Sequence, residues 1–233
     1  MATAVERFES FSVEHQIALG LFLAGAVLAV IVGRRWRGHP AVGRGCRTAA
    51  VVIVIIGVTM QALQFTPGEW DRQTSLPLHL CDIGWVVAAM ALWSRQRLLV
   101  TIAFLWGVVL TTQAMITPDL AAPFPEPRFL MFWAMHWMVV WAGLFLVLGL
   151  GIRPGWREYR RTVTLTIGWA LLTAAANVVL DTNYGYLNAK PPGASMLDLL
   201  GPWPYYLLAE AVIIASVWAA MVWPLQRRSH PVR

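Results

Sequence analysis

Apolar runs alternate with clusters of arginine along the whole chain, and this alternation limits the fold more than any other feature. Seven apolar stretches, near 16–33, 48–65, 77–93, 98–116, 129–150, 162–181 and 203–223, approach the ~20 residues a helix needs to cross a hydrocarbon core. Backbone inside a bilayer must bond to itself, so runs of this length predict helices. Fourteen of the 18 basic residues fall in every second connection. Arg34, Arg35, Arg37, Arg44 and Arg47 follow the first run, Arg95 and Arg97 the third, Arg153, Arg157, Arg160 and Arg161 the fifth, and Arg227, Arg228 and Arg233 the seventh. Arg7, Arg72, Arg128 and Lys190 lie on the other side. Because positive residues are retained in the cytoplasm, the sequence predicts an all-α, polytopic membrane bundle of seven transmembrane helices, N-terminus outside and C-terminus cytoplasmic. With 58% hydrophobic and 13% charged residues the composition excludes a soluble domain. The excess of positive charge follows the loops, so it marks topology and anionic lipid rather than nucleic acid.

The first run is followed, not preceded, by its basic cluster, which predicts an uncleaved first span rather than a cleaved leader. Connections are too short to bury a soluble core, so residues 1–233 form a single transmembrane helical domain. "TPDLAAPFPEPR" carries Pro118, Pro123, Pro125 and Pro127, which resist helix and predict a stiff cap. "SMLD" has the form of a capping box before a short interfacial helix. Val5, Phe8 and Phe11, at roughly helical spacing, suggest an N-terminal segment lying along the outer surface.

An ionisable side chain inside a span normally faces the bundle and marks a site. Cys81, His136 and Glu210 fall about 6 to 11 Å below the outer ends of three different spans, at 1.5 Å per residue. Asn177, Gln61 and Gln64 sit at a similar level on two more. Pro77 fits the first turn of a helix, which puts Cys81 about one turn inside, where the helix dipole favours a thiolate. His79 points about 200° away from Cys81 along a helix and is no evident base for it; Asp82, about 60° from His79, is placed to pair with that histidine. His136, flanked by "FWAM" and "WMVV", is the histidine at suitable depth. A nucleophile, a base and an orienting group make the general pattern of covalent catalysis. Cys81 and His136 fill the first two roles, with Glu210, Asp82 or Asn177 for the third. His79, Gln61, Gln113 and Asn177 are candidate oxyanion donors, and Tyr206, Trp203 and Tyr184 candidate cavity walls. A buried apolar thiol, a satisfied core histidine and interhelical amide bonds are the structural alternatives. His79, Cys81, His136 and Glu210 are all metal-ligand types, but no close ligand pair supports a metal and no cofactor is called for. Cys46 and Cys81 lie at opposite faces, which excludes a disulfide.

"LPLHLCD" at the start of a span, "HW" deep in a later one and the loop "NYGYLNAKP" resemble the transmembrane protein 164 / YwaF family of integral membrane proteins, over roughly residues 15 to 223. The resemblance implies a polytopic lipid acyltransferase; the vertebrate representative is a cysteine-dependent enzyme that acylates the sn-2 position of ether phospholipids. It carries the Cys and His roles onto Cys81 and His136. The short, Arg- and Trp-rich chain looks more like bacterial-type members, which implies a multi-pass protein of a bacterial plasma membrane; membrane phospholipids are the expected partners. The expected activity is acyl transfer between lipids or hydrolysis of a lipid ester. The rival class is a non-catalytic lipid-binding or accessory subunit of a cell-envelope membrane complex.

Overall fold

The computed structural model describes residues 8–118, 120, 122–191, 193 and 195–227. Seven helices follow in order: α1 (Val13–Trp36), α2 (Val42–Gln64), α3 (Leu80–Ser94), α4 (Arg97–Ile116), α5 (Pro127–Gly149), α6 (Trp156–Leu180) and α7 (Tyr205–Arg227). No strand occurs among the described residues. Six of the helices are long and apolar enough to cross a membrane, and α3 is the exception. Its 15 residues span only about 22 Å, short of the ~30 Å hydrocarbon core. The expected third span, 77–93, begins three residues late because Pro77 stands in a turn ahead of the helix, not in its first turn.

Local signals account for most of the ends. The Ser12 hydroxyl accepts the His15 N–H and starts α1, and Pro127 opens α5 at a position where a missing N–H costs nothing. Arg95 and Asp181 adopt left-handed conformations that close α3 and α6. Ser195 and Asp198 form the expected capping box, which begins a short 3-10 helix, Met196–Leu200. Between Thr117 and Glu126 the proline-rich connection contains no helix among its described residues. Val5 lies outside the described residues, and Phe8 to Ser12 turn rather than continue as a helix. Phe8 packs its ring instead against His15 and Phe129.

Helix α5 is the hub. It packs against α1, α2, α3 and α4, while α6 and α7 join from the far side of α4. Glycines set the closest approaches. A Cβ on Gly143 would stand 2.8 Å from the Phe104 Cα, so α4 and α5 meet backbone to backbone. A Cβ on Gly33 would stand 2.6 Å from the Gly149 Cα, which brings the end of α1 onto the end of α5. There the Arg37 guanidinium donates to the Gly149 carbonyl at 2.6 Å and the Arg34 Nε to the Leu148 carbonyl at 3.3 Å. These arginines thus satisfy orphan carbonyls of the widened last turn, Phe145–Gly149, beyond any role in topology. Leucine, isoleucine and valine cover the outward faces: Leu21, Val27 and Leu28 on α1, Leu172 and Val179 on α6 and Leu208 on α7 are all exposed. A surface of this kind is at rest only in hydrocarbon.

Gly143→Leu is expected to lower stability by about 3 kcal/mol, because the side chain has only backbone to displace. Gly168→Leu, which meets open space, serves as the control. Thermal unfolding of both variants in detergent checks this: equal midpoints would refute the close α4–α5 contact.

Candidate functional site

The site begins with the connection between α2 and α3, because its polar backbone must find partners before α3 can start. Tyr184 supplies two of them. Its buried hydroxyl accepts the Leu76 N–H at 2.9 Å and donates to the Arg72 carbonyl at 2.7 Å. Burial pushes this phenol above its usual value, so it remains a donor at neutral pH. The Gln61 amide donates to the Ser75 carbonyl at 2.8 Å and the Trp169 indole to the Leu78 carbonyl at 3.1 Å. Tyr184 is itself fixed by Asn177, whose Oδ1 accepts the Tyr184 N–H and whose Nδ2 donates to the Tyr184 carbonyl. The Thr182 hydroxyl also donates to Asn177 Oδ1.

These bonds deliver the chain to His79, where α3 begins. The His79 N–H donates to Asp82 Oδ2 at 3.0 Å, so Asp82 meets the backbone of His79 and caps the helix. The His79 Nδ1 accepts the Gly185 N–H at 3.3 Å, and its ring lies against Tyr184 and Tyr186. Cys81 is consequently the second residue of α3, nearer the helix end than expected, among N–H groups that have no intrahelical acceptor.

A cleft of about 50 Å³ joins Cys81, Asp82 and Trp85 of α3 to Gly57, Met60, Gln61 and Gln64 of α2 and Met135 and His136 of α5. The Cys81 side chain is exposed at its mouth, and His136 is buried, 7% accessible. The His136 Nδ1 lies 2.6 Å from the Phe132 carbonyl one turn earlier. A carbonyl only accepts, so Nδ1 carries the proton and Nε2 keeps its lone pair. The Phe132 ring stacks on the imidazole, with centroids 4.0 Å apart. This tautomer leaves Nε2 as the acceptor nitrogen of the ring. No direct hydrogen bond links it to Cys81, but the cleft exceeds the space that one bridging water needs. At Gly57 a Cβ would strike the Trp85 ring at 2.5 Å; glycine there lets the indole lie on α2 and close one wall.

Of the predicted site residues, Cys81, His136, Asp82, Gln61 and Gln64 thus line one cleft. The others do not line it. Asn177 is committed to Tyr184 and Thr182, and no acid orients His136; the Phe132 carbonyl holds Nδ1 instead. Glu210 belongs to α7, which packs on α6, the widened segment Trp106–Thr111 of α4 and the Met196–Leu200 turn. Tyr206 is buried with its hydroxyl on the Tyr186 carbonyl. Trp203 precedes α7, so it shares no helix face with Glu210, and its indole donates to the Leu187 carbonyl. Gln113, on α4, is likewise absent from the cleft wall, while Tyr184 and His79 act from below α3 as positioning residues. Among the described residues no group of three or more His, Cys, Asp or Glu side chains gathers as metal ligands. Sequence reasoning missed Gly57, Met60, Trp85, Phe132 and Met135. Trp85 stands four residues after Cys81, and Phe132 four before His136, so helical spacing carried that signal.

A family model described as the TMEM164 family matches residues 10–222. Comparison with curated proteins and with solved structures gives no match.

Tyr184→Phe is expected to leave the Leu76 N–H and the Arg72 carbonyl unpaired, at a cost of about 2 kcal/mol. Hydrogen exchange of residues 72–79 should then quicken by roughly thirtyfold. A uniform rise across the bundle, or none, would contradict the anchoring role.

Proposed function

Because the chain belongs to the TMEM164 family, a family of membrane proteins, we propose that it is a membrane lipid acyltransferase, working as a transacylase or lipid-ester hydrolase. Cys81 is its nucleophile and His136 its base. The observation that carries this reading is the convergence of an accessible thiol in the first turn of α3 and an imidazole with a free Nε2 on α5, both lining one cleft.

His136 Nε2 takes the Cys81 proton, directly or through one water, as apo sites commonly require before substrate tightens them. The thiolate adds to the ester carbonyl of a lipid. The oxyanion is met by the N–H of Cys81, in the first turn of α3, and by the amide of Gln64, both donors at the cleft. Collapse breaks the ester C–O bond, and the imidazolium returns its proton to the departing lysolipid alkoxide. A thioester remains on Cys81. The hydroxyl of a second lipid, or water, then loses its proton to His136 and attacks the thioester, which releases the acylated product and restores the thiol. Asp82 holds the first turn of α3 in place through His79 and does not itself transfer the proton.

The arginine distribution supports an N-outside, C-cytoplasmic orientation, and the resemblance to bacterial-type members of the family suggests a bacterial plasma membrane. The cleft then opens away from the cytoplasm, where acyl-CoA is absent, and a phospholipid is the fitting acyl donor. One observation favours the rival, a non-catalytic lipid-binding or accessory subunit of an envelope complex: the thiol and imidazole share no direct hydrogen bond.

Cys81→Ala and His136→Gln are each expected to reduce transfer of a labelled acyl chain between phospholipids by about 10²–10⁴-fold, with the double variant no worse than either. Assay of purified protein in liposomes, with trapping of a Cys81 thioester, decides between the two classes. Transfer that survives in the double variant removes Cys81 and His136 as the catalytic pair, and absence of transfer by the unsubstituted protein supports the accessory role.

A membrane-impermeant maleimide is expected to modify Cys81 in intact cells and to leave Cys46, buried in α2, unmodified until the membrane is opened and the protein loosened. The reverse pattern would invert the orientation and restore acyl-CoA as a donor.

A further inference from the structure

A second cavity begins one turn beyond the cleft. Helices α1 and α2 each pack on α5 but splay apart from one another, and an apolar groove of about 420 Å³ occupies the gap. Ala29 and Val32 of α1, Ala49 and Ile53 of α2, and Met138 and Trp141 of α5 form its walls. The cleft uses the same α2 and α5. On α2 it takes Gly57 and the groove takes Ile53, four residues away; on α5 it takes Met135 and the groove Met138, three residues away. Trp85, lying on Gly57, stands on the cleft side of this junction, and Leu92 of the same helix lines the groove.

The two volumes divide the work that an acyl ester demands. The cleft holds the polar groups but has room for little more than a carbonyl and its neighbours. The groove has the volume of a small-molecule pocket, and apart from the Cys46 thiol its lining side chains are apolar or aromatic. We propose that this groove is the acyl-chain slot of the site, taking one fatty chain of a membrane glycerolipid whose ester carbonyl rests at Cys81. The assignment rests on the acyl-transfer reading above. From Gly57 to Val42, at the far end of the groove, α2 rises about 22 Å, which gives the slot a finite length and makes it a ruler for the chain. Continuity of the groove with the cleft along α2 and α5 favours a chain attached to the reacting ester over a partner helix.

Two substitutions fill the slot without touching the cleft. Ala49→Trp projects into it from an exposed position, and Gly45→Leu starts from a Cβ that meets open space, so neither has a packing reason to unfold the chain. With the full chain in liposomes, the ratio of oleoyl to octanoyl transfer should fall about tenfold or more in both, the scale of forcing a chain into an overfilled space. Val178→Trp, on the lipid-exposed face of α6, should leave the ratio unchanged. In parallel, Cys81→Ala protein is irradiated with a phosphatidylcholine carrying a mid-chain diazirine. Adducts should map to residues 45–53 and 138–142 and disappear in the Ala49→Trp background. Unchanged ratios in both filled variants, adducts that persist beside Trp at position 49, or protein–protein adducts there would overturn the slot. No transfer by the unsubstituted protein at either chain length would instead overturn the acyl-transfer reading, transfer that survives Cys81→Ala would overturn the thiol as nucleophile, and in both cases the adduct map would still decide whether the groove holds a lipid chain.

Discussion

Everything at the candidate site depends on how the backbone between α2 and α3 is satisfied. In an apolar surround an unpaired N–H or C=O is costly, so a non-helical connection next to the bundle has to borrow partners from the protein. Asn177 and Tyr184 supply them through one compact knot, with Gln61 of α2 and Trp169 of α6 adding further bonds. The result is a late start for α3. Had the helix begun at Pro77, Cys81 would lie a full turn inside with its own N–H paired. Starting at Leu80, it leaves that N–H in the first turn, without an intrahelical acceptor, and turns a buried apolar cysteine into an exposed one at a donor-rich helix end.

The same economy of charge governs His136. A carboxylate orienting the imidazole would have to be held deep among Phe132, Trp133 and Trp137, where a formal charge costs several kcal/mol unless it is paired. The carbonyl of Phe132 fixes the same tautomer with no charge at all, using a group that the helix already contains. Glycine contacts then hold α5 against its neighbours, so the histidine is carried on the most constrained helix of the bundle.

Much of this was legible in the sequence. The apolar runs located every long helix, with α2 and α6 each beginning six residues earlier than expected because their first turns carry the arginines of the preceding connection. Depth along the spans brought Cys81, His136, Gln61 and Gln64 to one level, and the structure gathers those four into one cleft. Depth alone fixes no azimuth, however. Glu210 sits at the right height on a helix whose neighbours are α6 and α4, and nothing in a hydropathy pattern reveals which helices are adjacent. Asn177 commits its amide to a loop only seven residues on, and no spacing in the sequence reveals the fold of that loop. Pro77 misled for a simpler reason: a proline suits both the first turn of a helix and the turn before it, and only the bonds to Leu76 and Leu78 separate the two.

A slot for an acyl chain inside a membrane protein cannot draw on the hydrophobic effect, because the chain leaves one hydrocarbon phase for another. What the groove between α1 and α2 can supply is restriction. A chain confined there loses the freedom it has in the bilayer, and that cost is worth bearing only if it fixes the ester carbonyl over the thiol. Such an arrangement puts the binding interactions far from the reacting bond and the benefit at it, so an ill-fitting chain should suffer in the rate of acyl transfer more than in occupancy of the membrane around the protein. It also accounts for the contrast between the two cavities: a cleft no larger than the chemistry requires, continued along the same helices by a groove with almost no polar side chain to hold water near the thioester. On the proposed acyl-transfer reading, the balance between transfer to a second lipid and hydrolysis turns on access to the cleft mouth at Cys81, where the side chain is already exposed.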